Sequence, residues 1–204
     1  VKYSAIDIGK RIIYTKKSDD ELRIPNIIQY ISSFKDQITC KEVKQGKHPF
    51  WSLHRAREKQ IFEKQEKIIG VITGDKIYVS LDQSKIYQTD GLYLFSTNGI
   101  YSNQFLVGLL NSKLFTFLYR LISMEENRTL AQIKPCIVQC LPVQKDFNED
   151  GCNIISEKVN QILSLKKADQ EADTSALEAE IDQLVYQLYE LTPDEIQIIE
   201  EAVK

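Results

Sequence analysis

No stretch of this sequence approaches the ~18 consecutive apolar residues that a membrane-crossing helix needs. Its N-terminus also lacks the basic-then-apolar order of a signal peptide. A cytoplasmic protein without a membrane partner is the expectation. Cysteine is scarce: Cys40, Cys136, Cys140 and Cys152 are unevenly spaced. Only Cys136 and Cys140 lie close together, in an apolar run ending at Leu141, with no second pair and no nearby histidine to complete a tetrahedral zinc site. Buried free thiols are expected rather than a metal centre. The two histidines, His48 and His54, have no cysteine or carboxylate cluster at ligand spacing. A glycine-rich phosphate loop, a Gly-x-Ser-x-Gly elbow and a His-Glu-x-x-His pair are all missing. A self-contained hydrolase or metalloenzyme is hard to build from what remains.

Charge is present in quantity, and its placement says more than its sum. The formal net charge is -3, yet residues 1–145 hold 22 Lys and Arg against 14 Asp and Glu, whereas residues 146–204 hold 4 against 15. The front portion can be attracted to a polyanion and the tail repelled by it. At 204 residues and 43% hydrophobic, the chain can bury one sizeable core, or one core plus a small helical appendage. The expected organisation is a mixed α/β body over 1–145 and an acidic helical tail over 146–204. The first residue is Val1 rather than Met, so a piece of a longer polypeptide is expected.

Along the chain, residues 1–17 alternate apolar and polar loosely through Tyr3, Ile6, Ile8, Ile12, Ile13 and Tyr14, as a strand or a linker would. Pro25 followed by Ile27, Ile28, Tyr30, Ile31 and Phe34 predicts a helix near 26–38, with proline in the first turn, where its missing N–H costs little. The β-branched runs Lys67–Ile72, Ile77–Leu81 and Gly91–Phe95 predict three short strands of one sheet. From Asn103 to Ile122, Phe105, Leu106, Leu109, Leu110, Leu114, Phe117, Leu118 and Leu121 recur at three-and-four spacing. This is an amphipathic helix, or a helix pair broken near Asn111-Ser112, covering one face of the sheet. Pro135 and Pro142 bracket a short extended piece, and Asn148 to Gly151 reads as a loop. Helices follow at 154–167 and 175–191. Thr192, Pro193 and Glu195 then supply a cap, a first-turn proline and a capping box for a last one. The fold class is α+β: a small mixed or antiparallel sheet flanked by helices, with a C-terminal helical hairpin.

The strongest local constellation runs from Lys47 to Lys59 and contains His54, Arg55 and Arg57. Guanidinium groups suit nucleic acid because they can bond a phosphate, or guanine O6 and N7, through two parallel hydrogen bonds. Arg55 and Arg57 alternate, so on an extended segment they face one side, with Phe50 and Trp51 anchoring the segment to the core. A weaker pattern, Asp19 or Asp20 followed by Glu42-Val43-Lys44, is the carboxylate-plus-lysine set of a magnesium-dependent nuclease. Such strings arise easily in a chain that is 27% charged.

Four segments in fixed order carry a further likeness. They are Ile24-Pro25-Asn26-Ile27 with Phe34-Lys35; Trp51-Ser52-Leu53-His54 with Arg57, Ile61-Phe62-Glu63-Lys64 and Lys67-Ile68-Ile69; Asp90 with Leu92-Tyr93-Leu94-Phe95; and Leu106 through Lys113, followed by Leu141-Pro142-Val143. In this combination the chain resembles the TaqI-like C-terminal specificity domain of type IIG restriction-modification enzymes and related adenine methyltransferases, over roughly residues 20–145. Where the family commonly carries a Trp-Pro-Arg-like string, this sequence has Arg55-Ala56-Arg57.

The resemblance implies a target-recognition domain that reads double-stranded DNA. Its partners would be upstream methyltransferase and nuclease domains of the same polypeptide, which would take S-adenosylmethionine and Mg2+. An Asn/Asp-Pro-Pro-Tyr/Phe motif and a glycine-rich cofactor turn are both missing here, so this piece is expected to bind DNA without catalysis and without a cofactor of its own. Lys47, His54, Arg55, Arg57 and Lys59 are expected in one groove, with Lys113, Arg120, Arg128 and Lys134 at phosphates. Arg120, at the end of an apolar helix, could equally cap it. The tail is expected to pack on the body or on the methyltransferase domain, with Leu177, Ile181, Leu184, Leu188 and Leu191 as core or interface. Two alternatives stay open: a protein-interaction module working through the acidic hairpin, and a divergent nuclease using Glu42 and Lys44.

Overall fold

A computed structural model of the chain describes residues 2–5, 7–89, 91–95, 97, 99–125 and 128–204. Ile6 and Asp90, both used in the sequence reading, lie outside the described residues. The chain divides into two compact units, one combining Val1–Asp7 with Lys64–Lys204 and the other spanning Ile8–Glu63.

The larger unit is built on a four-stranded mixed sheet. Its strands are β1 (Tyr3–Ser4), β2 (Lys67–Val71), β3 (Val79–Asp82) and β4 (Leu92–Phe95), in the order β1-β3-β2-β4. β2 runs antiparallel to both β3 and β4, and β1 joins the edge parallel to β3. The three strands predicted from β-branched runs are present, β2 and β4 each trimmed by one residue and β3 shifted to start at Val79 and end at Asp82. Four of the five β2 residues are buried, as expected of a strand with a neighbour on each side and cover on its faces. Gly70 is small for a local reason: a Cβ there would lie 2.5 Å from the ring of Phe95 on β4. Lys67 and Asp82 are direct cross-strand partners and form an ion pair with no exposed side-chain surface.

The apolar stretch from 103 is a bent helix pair, α4 (Asn103–Asn111) and α5 (Lys113–Ser123), with 65° between the two axes. Serine begins each helix. The Ser102 hydroxyl accepts from the Phe105 amide at 3.1 Å, and the Ser112 hydroxyl from the Phe115 amide at 3.3 Å, which satisfies first-turn donors that have no partner within the helix. Phe105, Val107 and Leu109 of α4 are fully buried. Among the described residues, no single helix is long and apolar enough to cross a membrane.

The Pro135 segment departs from expectation. It forms a one-turn helix, α6 (Pro135–Val138), rather than an extended piece, because Pro135 occupies a first-turn position that its fixed backbone angle suits. The same turn corrects the cysteine reading. Val138 faces the core, while Cys136 and Cys140, four residues apart, are both exposed. Cys152 is the buried thiol. The segment after Asn148 is likewise helical: α7 (Glu149–Ala168) starts there, capped by the Asn148 side chain, with Glu149 and Asp150 at the positive end of the helix dipole.

α7 is followed by α8 (Ser175–Leu188) and α9 (Pro193–Ala202), the last opened by the Thr192–Glu195 capping box. Ile155 and Val159 of α7 close on Gly108 of α4, where a Cβ would meet them at 2.7 and 3.1 Å. Ile181 is fully buried in this core, and Leu177, Leu184, Leu188 and Leu191 pack against it. Residues 146–204 therefore pack within the larger unit.

The smaller unit carries a 3-10 turn at Glu21–Arg23 and three helices, α1 (Pro25–Ser32), α2 (Lys41–Lys44) and α3 (Lys59–Phe62). α1 ends at Ser32, short of the predicted 38, and single turns continue to Ile38. Its buried side chains are Thr15, Trp51 and Phe62.

Candidate nucleic-acid interface

The unit Ile8–Glu63 holds twelve Lys and Arg against seven Asp and Glu. It therefore carries positive charge although the whole chain is negative. Its centre is the segment 47–59, and its order comes from residues 14–21. The buried Thr15 hydroxyl donates to the Trp51 carbonyl at 2.6 Å, and the Thr15 carbonyl accepts from the Leu53 amide at 3.0 Å. The Trp51 indole N–H donates to Glu21 Oε1 at 3.2 Å. The Tyr14 hydroxyl donates to the Arg57 carbonyl, and Lys16 Nζ lies 2.8 Å from Glu58 Oε2. Lys17 Nζ donates to the Lys47 carbonyl at 3.0 Å. One short stretch thus ties down the segment at several points.

Lys47, His54, Arg55, Arg57 and Lys59 are all exposed. The structure places all five in this unit. Trp51 anchors the segment as expected, with Phe50 half-buried beneath Lys35, whose Nζ lies 5.1 Å from the ring centroid. The expected extended run through both arginines is not formed. His54 and Arg55 lie in a turn and only Ala56–Glu58 continues open, because the Leu53 amide is drawn back to Thr15. Lys47, Arg55, Arg57 and Lys59 have no carboxylate partner among the described residues. Lys59 Nζ instead sits 5.6 Å from the Tyr14 ring centroid, and His54 Nε2 is 3.8 Å from Glu42 Oε2. The His48 ring stands edge-on to His54 and bonds the Ser52 hydroxyl at 2.9 Å.

The nuclease pattern does not assemble. Asp20 caps the 3-10 turn, Asp19 accepts from the Lys16 amide and Glu42 faces His54. Among the described residues, no three His, Cys, Asp or Glu side chains gather at metal-holding distances.

The four cations expected at phosphates, Lys113, Arg120, Arg128 and Lys134, lie in the larger unit and have carboxylates close by. Lys113 Nζ lies 2.6 Å from Glu200 and 3.9 Å from Asp182, and its backbone amide donates to Asp182. Burial pushes the Asp182 carboxyl up, opposed by that amide and by the Lys113 ammonium. Arg120 is 12% exposed, pairs with Asp75 at 2.7 Å and donates to the Ala202 carbonyl, so it ties α5 to the end of α9. Arg128 and Lys134 share Glu125, at 2.8 and 2.6 Å. A phosphate contact by any of these four would compete with the carboxylate already beside it.

Glu125 organises its loop. It is 2% exposed and also accepts from the Gln132 amide. The Lys134 ammonium holds its carboxyl below the ordinary 4.5, aided by the Gln132 amide and Arg128 and opposed by burial. A carboxyl lowered in the folded state contributes stability above its ordinary value and loses that contribution as pH falls through the lowered one. The protection of the Gln132 amide, measured against its intrinsic exchange rate at each pH, is accordingly expected to fall as acidification goes below the ordinary carboxylate value. Glu125→Gln should show low protection at Gln132 already at neutral pH and little further loss in acid, and an equal acid-dependent loss of protection in both proteins would refute the assignment.

Sequence reasoning missed Tyr14, Thr15, Lys16 and Glu21. Only the loose alternation of residues 1–17 pointed towards the first three, and nothing pointed to Glu21.

A family model described as the TaqI-like C-terminal specificity domain matches residues 14–143. Among solved structures, the type IIL restriction-modification enzyme MmeI in complex with DNA matches with a TM-score of 0.61 at 12% identity. That alignment covers 93% of this chain and 28% of MmeI, and at such identity the likeness is one of fold. No curated protein matches the sequence.

Proposed function

Because the chain belongs to the family of TaqI-like C-terminal specificity domains, we propose that it recognises a specific sequence in double-stranded DNA and itself catalyses nothing. The supporting observation is the cationic segment inside the matched region. Lys47, Arg55, Arg57 and Lys59 are exposed, free of carboxylate partners among the described residues, and mounted on an ordered backbone. Cations not already neutralised can release counterions from a phosphate backbone at no internal cost, and a fixed guanidinium can read guanine in the major groove. Residues 1–145 carry the recognition. Lys113, Arg120, Arg128 and Lys134 serve at phosphates where the backbone displaces their carboxylates, and the acidic tail over 146–204 stays off the DNA.

The parent polypeptide, in this reading, is a cytoplasmic type IIG restriction-modification enzyme, endonuclease and adenine-N6 methyltransferase together. Mg2+ and S-adenosylmethionine belong to its upstream domains, since this sequence holds neither the Asn/Asp-Pro-Pro-Tyr/Phe motif nor a glycine-rich turn.

Selection of a randomised duplex pool on the full chain, at low and near-physiological salt, tests the proposal. A short enriched motif is expected. Replacing a base-reading arginine by alanine should cost ~1–3 kcal/mol and relax one position of that motif. Lys47→Ala should weaken binding to all sequences alike and reduce the salt slope by about one. Retention without enrichment reduces the site to sequence-independent attraction, and no retention at either salt removes DNA as the ligand.

A further inference from the structure

Within the cationic segment the backbone is pinned at two points that leave three residues between them. The Leu53 amide is held by the Thr15 carbonyl at 3.0 Å, and the Arg57 carbonyl by the Tyr14 hydroxyl. His54, Arg55 and Ala56 span the gap. The pins are reinforced on both sides, by the buried Thr15 hydroxyl on the Trp51 carbonyl and by the Lys16–Glu58 pair. Tyr14 is itself fixed, with its ring 6.0 Å from that of the buried Phe62 in an edge-on contact and Lys59 above it. The family match begins at Tyr14, so the pinning stretch lies within the matched domain. Of the three arch residues, His54 faces Glu42 and Ala56 has no functional group. Arg55 is the long, exposed cation at the crown.

We propose that Tyr14 and Thr15 are positioning residues that hold 54–56 as a fixed arch, and that Arg55 on this arch determines the identity of one base pair in the recognised DNA. Arg57, whose backbone forms the second footing, contacts the adjoining phosphate. This rests on the DNA-recognition reading above and deepens it. The physical reason is preorganisation. A bidentate guanidinium–guanine contact discriminates between bases only when its donors arrive in a set orientation. A freely moving arginine supplies the same charge to every sequence and so adds affinity without selectivity.

The test is duplex-pool selection on the full chain and on Tyr14→Phe, Arg55→Ala and the double variant. Tyr14→Phe keeps the ring against Phe62 and removes only the hydroxyl. Arg55→Ala is expected to lower preference at one base pair by about tenfold, and Tyr14→Phe to lower it at the same base pair by about fivefold or more. The double variant should relax selectivity no further than Arg55→Ala, and low-salt retention of random DNA by Tyr14→Phe should be unchanged. A motif unaltered by Tyr14→Phe overturns the arch while leaving DNA recognition standing, as does relaxation at a different base pair or a uniform loss over all sequences. A parent chain that enriches no motif overturns both. Should Tyr14→Phe unfold, Lys16→Gln, which releases Glu58 at the same footing, must relax that base pair for the arch to survive.

Discussion

Lys67→Ala is expected to destabilise the larger unit by about 3–5 kcal/mol, the cost of breaking a buried ion pair from one side. The pair stands in register, Lys67 on β2 directly opposite Asp82 on β3, with no side-chain surface exposed on either residue. Removal of the ammonium leaves a carboxylate inside the sheet with no compensating charge. Asp82 keeps some support, since it accepts from the Ser84 amide at 2.8 Å and the Ile86 amide at 2.9 Å. Those bonds fix the chain as it leaves β3, so the damage is expected to spread into residues 83–86. Asp82→Leu takes the carboxylate from the buried ammonium and releases the same two amides, and should also destabilise the unit. The double variant Lys67→Ala with Asp82→Leu removes both charges and is expected to cost less than the sum of the two single changes. Chemical denaturation of the four proteins measures this. Single variants within about 1 kcal/mol of the parent would show that the site admits water and that the pair behaves like a surface one.

The strands of this chain were legible because their side chains repeat the pattern of a buried sheet, and the break at Asn111-Ser112 because serine is a helix start. The parallel edge strand at Tyr3–Ser4 was not legible, since two residues carry no period and their pairing to Ser80 and Leu81 is set by tertiary contact alone. Proline misled at Pro135, where the same residue can open a helix or border an extended piece. The candidate site divides in the same way. Arginines and lysines are visible in a sequence, but whether each is already neutralised is not. Lys113 finds Glu200 at 87 positions' separation and Arg120 finds Asp75 at 45. From sequence, Lys47, His54, Arg55, Arg57 and Lys59 are expected in one groove and Lys113, Arg120, Arg128 and Lys134 at phosphates, and the fold adds that the latter four, and His54, have carboxylates close by. Tyr14 was invisible as a positioning residue because its partner is a backbone carbonyl 43 residues away, and backbone leaves no mark in the sequence.

Asn111→Leu is the second change expected to act strongly, and it explains why a buried asparagine closes the apolar run that begins at Phe105 of α4. β1 pairs with β3 at Ser80 and Leu81, and Val79 stands at the start of that pairing. The Asn111 side chain caps the strand there. Its Oδ1 accepts from the Val79 amide at 3.0 Å and its Nδ2 donates to the Val79 carbonyl at 2.9 Å. A carboxamide has the donor and acceptor geometry of a peptide group, so it completes the edge as one more strand residue would. Because Asn111 is the last residue of α4, the same contact fixes the bend to α5 against the sheet. Leucine keeps the branching at Cγ but bonds neither group, so the Val79 amide loses its partner at about 1–3 kcal/mol and the carbonyl loses one of its bonds at about 1 kcal/mol. The expected loss is therefore roughly 2–4 kcal/mol, with faster amide exchange at Val79. Asn111→Asp keeps the acceptor but faces a carboxylate towards the Val79 carbonyl, so it is not expected to rescue stability at neutral pH. Unchanged stability in Asn111→Leu would mean that water or a shifted β1 can complete the edge, and the α4–α5 bend would then need another cause.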